Sequence, residues 1–260
     1  MSSRFDHLEF DPPPPGPKAV PNQGTNLDES YEAQARQAFE SASFQRALQL
    51  YARILEFDRT SLVSWEGQIQ CLIQLGRADE ADRWASLALD EWPEHGELIA
   101  LKAISLARTG HRDEALAFSD AALQGQERTA LGWLARAEIL ILQNDTTADY
   151  CQEQALESSP KAWQIAWLTS RTRAHYNQFA VGLRLANIAI DRAPTHATPW
   201  LQAAHCQSAL GLRKPAYASL ARATEISPES PIVSELKRNL DQDRGITRFL
   251  KRWGLVSHTS

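Results

Sequence analysis

Small residues recur along this chain with a period of 34. Ala47, Ala81, Ala115, Ala148, Gly182 and Ala216 are separated by steps of 34, 34, 33, 34 and 34 residues. Seven positions behind each comes a second series: Ile54, Ala88, Ala122, Ala155, Ala189 and Ala223. Pro93, Pro160, Pro194 and Pro228 close four of the units, with Arg59 and Glu127 in the same place in the others. Tyr31, Trp65, Ile99, Trp133 and Trp200 open them. A fixed period held over most of a chain constrains its fold more than any local propensity, because each unit must take the same shape and stack on the next.

The spacing predicts two short helices per unit, joined by a tight turn. The large opening residue fills the space between helices, and the small residues allow close approach of backbones. The proline falls between units because it cannot continue a helix. Turn residues stand where the first helix should stop: Leu75 to Arg77, Thr109 to His111, Gln143 to Asp145 and Leu210 to Leu212. One unit cannot bury its apolar face alone, so the units stack into a solenoid.

With these residues in place, the chain resembles the tetratricopeptide-repeat family. The unit Pro199 to Ser230 carries Trp200, Ala204, Gly211, Ala216, Ala223 and Pro228 at the family's large, small, turn and closing positions. The unit from Ser64 to Pro93 matches nearly as well, and the resemblance covers about residues 28–230 in six units. It implies an all-α, right-handed α-solenoid of about six helical hairpins with a C-terminal capping helix. Units four and five depart from the pattern. The fourth has lost one turn residue. The fifth puts Ala166 at the large position, leaves Trp163 and Trp167 out of phase, and sets Arg173 where an apolar residue would pack.

Ser230 and Pro231 read as an N-cap and a first-turn proline, followed by an apolar stripe of Ile232, Val233, Leu236 and Leu240. Residues 231–241 are therefore the expected capping helix. Beyond them, in 242–260, Ile246, Phe249, Leu250 and Trp253 share one helical face among Arg244, Arg248, Lys251 and Arg252. This basic amphipathic tail could pack on the last repeat, fill a partner's groove or lie on an anionic membrane surface. At the other end, residues 1–27 form a proline-rich tail expected to be extended. It carries the segment FDHLEF, whose Phe5, Leu8 and Phe10 are candidate anchors for a partner or for the chain's own groove.

The net charge of −5 gives no electrostatic case for nucleic acid. No apolar run approaches a membrane span, and Asp6, Glu9 and Asp11 interrupt what a secretory signal would need, so a cytoplasmic location is expected. Cys71, Cys151 and Cys206 are odd in number and lack any CxxC spacing, so they read as buried small hydrophobes. No nucleotide-binding, metalloprotease, nucleophile-elbow or calcium-loop motif is present, and the histidines are scattered. No catalytic residue, metal site or cofactor is assigned.

The resemblance implies that first helices line a concave groove for an extended peptide or a helix. By phase the groove residues are Ile73, Ala100, Ile104, Arg108, Leu134, Glu138, Ile141, Trp167, Arg171, Leu201 and His205. Members of the family that hold chaperone tails use a Lys, Asn and Arg clamp. Here Glu32, Arg36, Gly67, Glu97 and Leu101 occupy its places, so no such clamp exists. The expected function is a non-catalytic protein-interaction scaffold that binds an apolar peptide or helix. The alternatives are an adaptor recruited to membranes by its basic tail and a chaperone for an apolar client.

Overall fold

A computed structural model describes residues 24–124, 128–238 and 240, with side chains from residue 31 onward. Among these residues every regular element is helical. The order is α1 (Gly24–Glu40), α2 (Phe44–Phe57), α3 (Leu62–Gln74), α4 (Ala78–Glu91), α5 (Gly96–Thr109) and α6 (Arg112–Gln124). It continues with α7 (Ala130–Leu142), α8 (Ala148–Ser158), α9 (Trp163–His175), α10 (Phe179–Arg192), α11 (Ala197–Ala209) and α12 (Arg213–Ile226). A further helical segment covers 231–238. The twelve helices pair as six hairpins stacked in chain order, an all-α solenoid. Helix α1 begins at Gly24, earlier than the expected boundary at 28. The last proline before it is Pro21, so no ring blocks the helix from there on.

Every hairpin turn uses the same device. One residue takes a left-handed backbone: Ala42, Gly76, Gly110, Asn144, Asn177 and Gly211, at φ between 55° and 92°. The residue after each donates its N–H five residues back, as in Arg77 to Leu72, His111 to Leu106 and Gln178 to Arg173. This closes the exposed carbonyls at the helix end. Glycine and asparagine enter this conformation readily, whereas an alanine Cβ costs about 1–2 kcal/mol there. The sequence signals therefore found four of the turns and missed those at Ala42 and Asn177. Ala42→Gly is expected to raise stability by about 0.5–1 kcal/mol, read as a higher urea midpoint with an unchanged slope.

The two alanine series form the contact between helices. Ala47, Ala81, Ala115, Ala155, Ala189, Ala216 and Ala223 are buried. Gly67 plays the same part more severely: a Cβ there would lie 2.3 Å from the Tyr51 ring. The glycine at a clamp position is thus explained by the aromatic ring that packs onto it. Trp65 and Trp200 hold equivalent places, each half-buried and donating its indole N–H to the carbonyl six residues earlier, on Arg59 and Pro194. Val233 and Leu240 are buried against Leu201, Ala204, Leu220 and Ala223, so the last helical segment covers the end of the stack.

Unit five supplies the departure of greatest consequence. Trp163 and Trp167 are both in the core rather than displaced from it. The Trp167 ring lies 5.8 Å from Phe39 and 5.9 Å from Phe44, which belong to the first hairpin. Thr198 Oγ1 donates to the Glu40 carbonyl at 2.6 Å, and Gln164 Nε2 to Glu40 Oε1 at 2.9 Å. The superhelix therefore closes: unit one meets units five and six across the axis. Arg173 is also buried, its guanidinium bonded to Asp149 and Gln178, which answers the charge that sequence phase left among apolar neighbours.

Candidate functional site

Closure determines where the expected groove residues lie. Ile73, Ala100, Ile104, Leu134, Ile141, Trp167 and Leu201 are buried, and Glu138 is fully so. Ile73, Ile104 and Leu134 border one small space instead of an open channel, whereas Leu201 packs with Leu220, Val233 and Leu240 at the C-terminal end. The space enclosed by Ile73, Ile104, Arg108, Leu134, Glu138 and Leu168 is about 10 Å³, room for a single water at most. The expectation of a continuous apolar groove is corrected on this point. The six hairpins curve tightly enough for side chains from opposite units to fill the axis.

The polar members of the set form a connected group. Arg108 donates from Nε to Glu138 Oε1 at 2.6 Å and from Nη1 to the Ile73 carbonyl at 2.8 Å. Tyr176 donates its hydroxyl to the same Glu138 oxygen at 3.0 Å. Burial works against the Arg108 charge, and the Glu138 carboxylate more than offsets it. Arg171 donates from Nε to Gln74 Oε1 at 2.6 Å, and its guanidinium lies over the Phe44 ring at 4.7 Å. Burial and the nearby Arg108 lower its pKa to about 10. His205, on α11, is exposed beside it.

Open space remains on the side where α5, α7 and α9 begin. A pocket of about 500 Å³ lies there. Its rim carries Arg36 and Glu40 from α1, Gln70 from α3, Glu97 from α5, Arg128 and Gln164. Its floor is Phe39, Leu131, Ile165 and Leu168. Of these, Arg36 and Glu97 stand at the clamp places that the family resemblance implies. Periodicity missed Glu40, Arg128, Gln164, Ile165 and Leu168, since only closure brings α1 to α9.

An acid pair stands beside the pocket. Burial, with the Glu97 carboxyl bonded next to it, raises the Glu66 pKa to about 8. His95 Nδ1 lies 3.5 Å from Glu66 Oε1. A folded-state pKa above the unfolded one means that the fold binds the extra proton, so stability falls as pH rises from about 4.5 to about 8. The full shift corresponds to roughly 5 kcal/mol, and partial access to water reduces it to about 2–3 kcal/mol. Glu66→Gln is accordingly expected to match the native protein at pH 5 and exceed it by about 2–3 kcal/mol at pH 9 in urea unfolding. Equal gaps at both pH values would refute the shared proton.

Among the described residues no group of three or more His, Cys, Asp or Glu is placed to hold a metal ion. Cys71, Cys151 and Cys206 are free and buried. No helix of the described residues is long and apolar enough to cross a membrane. The anchors Phe5, Leu8 and Phe10 and the basic set Arg248, Phe249, Lys251, Arg252 and Trp253 lie outside the described residues.

No family model matches the sequence, and comparison with curated proteins finds no match. Solved structures do match. The human IFIT1 dimer with m7Gppp-AAAA aligns at a TM-score of 0.57 and 15% identity, over 86% of this chain and 55% of that one. The chain thus spans about half the length of that protein. A tetratricopeptide repeat protein from Parabacteroides merdae ATCC 43184 aligns at 0.51 and 14% identity, over 84% of this chain and 86% of that one. The 34-residue period, the six stacked hairpins and these likenesses agree: the fold of this chain is that of the tetratricopeptide-repeat proteins.

Proposed function

We propose that the chain is a non-catalytic interaction scaffold that binds a peptide segment of a protein partner, and that the segment enters at the 500 Å³ pocket. The observation that carries this reading is the combination of side-chain amides and two arginines over an apolar floor. Gln70 and Gln164 offer the donors and acceptors that a peptide backbone requires. Phe39, Leu131, Ile165 and Leu168 accept one or two apolar side chains, gaining about 25 cal/mol per Å² before ordering costs. The rim also carries Glu40 and Glu97, so Arg36 and Arg128 act as local contacts for acidic residues beside the anchor and not through a net positive charge. The deeper apolar residues, Ile104, Leu134 and Trp167 among them, become available only if unit one parts from α9.

The test is selection of displayed random peptides on the full chain and on an Arg36→Glu/Arg128→Glu variant. The expected result is a consensus with an apolar anchor flanked by acids, whose binding drops at least tenfold in the variant, equivalent to about 1.4 kcal/mol. Failure to select any peptide, or equal binding by both proteins, defeats the reading.

A further inference from the structure

We infer that Arg171, with His175 and His205, forms a second binding point on the inner face, for a carboxylate carried by the bound peptide. This rests on the peptide reading above and adds the chemistry of a second contact.

Two arginines, Arg108 and Arg171, approach the axis, and one carboxylate, Glu138, serves them. Glu138 is committed to Arg108 through both oxygens and to Tyr176. Arg171 has a neutral amide on Nε and the Phe44 and Trp167 rings against its face. Among the described residues no carboxylate pairs with it. A guanidinium held against aromatic rings with its Nη groups uncommitted is preorganised for a carboxylate.

Access comes from the neighbours. His175 lies one turn along α9 from Arg171, and it and His205 on α11 are each partly buried yet keep part of their surface in solvent. Burial and Arg108, with Arg171 adding and Glu138 opposing, lower the His175 pKa, and burial and Arg171 lower that of His205. Both rings are therefore neutral near pH 7, and each has an N–H to donate. One unpaired positive charge and two neutral donors match a singly charged carboxylate better than a phosphate dianion. The point is also separate from the family's chaperone-tail clamp, whose places lie in the first three hairpins, at Glu32, Arg36, Gly67, Glu97 and Leu101.

The experiment titrates the full chain with sodium acetate, with sodium chloride at matched ionic strength and with inorganic phosphate as separate arms. The readout is the imidazole ¹⁵N signals of His175 and His205. The expected result is a saturable shift with acetate, together with a rise in both histidine pKa values. In Arg171→Gln the saturation disappears, and both pKa values stand higher without any anion, because a positive neighbour is gone. Arg171→Lys keeps the charge without the fork, so the histidine pKa values stay low while acetate binding weakens several-fold. A response equal in chloride, or undiminished in Arg171→Gln, overturns the inference. Saturation by phosphate alone overturns the carboxylate assignment. No peptide is used, so a failed acetate arm counts against this point and leaves the pocket reading to its own test. A saturating acetate arm with no selected peptide keeps the anion point and removes the peptide.

Discussion

Arg108→Met lowers stability by about 3–5 kcal/mol, while the double replacement Arg108→Met/Glu138→Leu costs much less. The reason is the asymmetry of buried charge. Glu138 has no exposed surface and accepts both Arg108 bonds. Removing the guanidinium leaves a carboxylate with only the Tyr176 hydroxyl, far from bulk water. It also strips a donor from the Ile73 carbonyl. Replacing both partners with apolar groups of similar size removes the stranded charge, and the loss that remains is mainly the Tyr176 hydroxyl left without its acceptor, about 1–3 kcal/mol, since the Ile73 carbonyl keeps the Gly76 N–H. Urea unfolding of the two single variants and the double variant closes a cycle. Additive single losses would show that the pair is not coupled.

Trp167→Ala is the second large effect. The indole is buried against Phe39, Phe44 and Trp163, with Arg171 over its face. Truncating a large buried aromatic costs about 3–5 kcal/mol. Here the cost falls on the contact that closes the superhelix, so a second consequence is expected: the native state expands, because unit one is then held mainly by the bonds of Glu40. Small-angle scattering should show a larger radius of gyration for Trp167→Ala. Trp133→Ala, at a half-buried tryptophan of unit four, should leave the radius unchanged. If both variants keep the native radius, closure does not depend on the aromatic cluster.

The candidate site was only partly legible in the sequence. Phase assigned Arg108, Glu138 and Trp167 to the inner face; in the fold Arg108 and Glu138 form one buried ion pair and Trp167 packs on the first hairpin. Phase could not tell an inner face open to a ligand from one filled by the opposite units. Arg173 illustrates the same limit. It read as a polar residue at an apolar position, and its partner Asp149 lies on α8, in the preceding unit. The pocket rim was missed for a related reason, since Arg128 and Gln164 fall at or near the starts of helices, where the repeat pattern carries no signal.

By itself the sequence determined the local architecture: a 34-residue period, six hairpins and small residues where helices touch. These follow from short-range rules, because helix length, turn chemistry and close packing are each set by neighbours within one or two units. Only the tertiary structure decided that the solenoid closes. Curvature accumulates from a small rotation at each stacking contact, and the bond from Thr198 to Glu40 joins residues 158 positions apart. No periodicity encodes such a meeting. It depends on the sum of all the intervening rotations, and that sum turns an expected open groove into a filled axis with a pocket at one mouth.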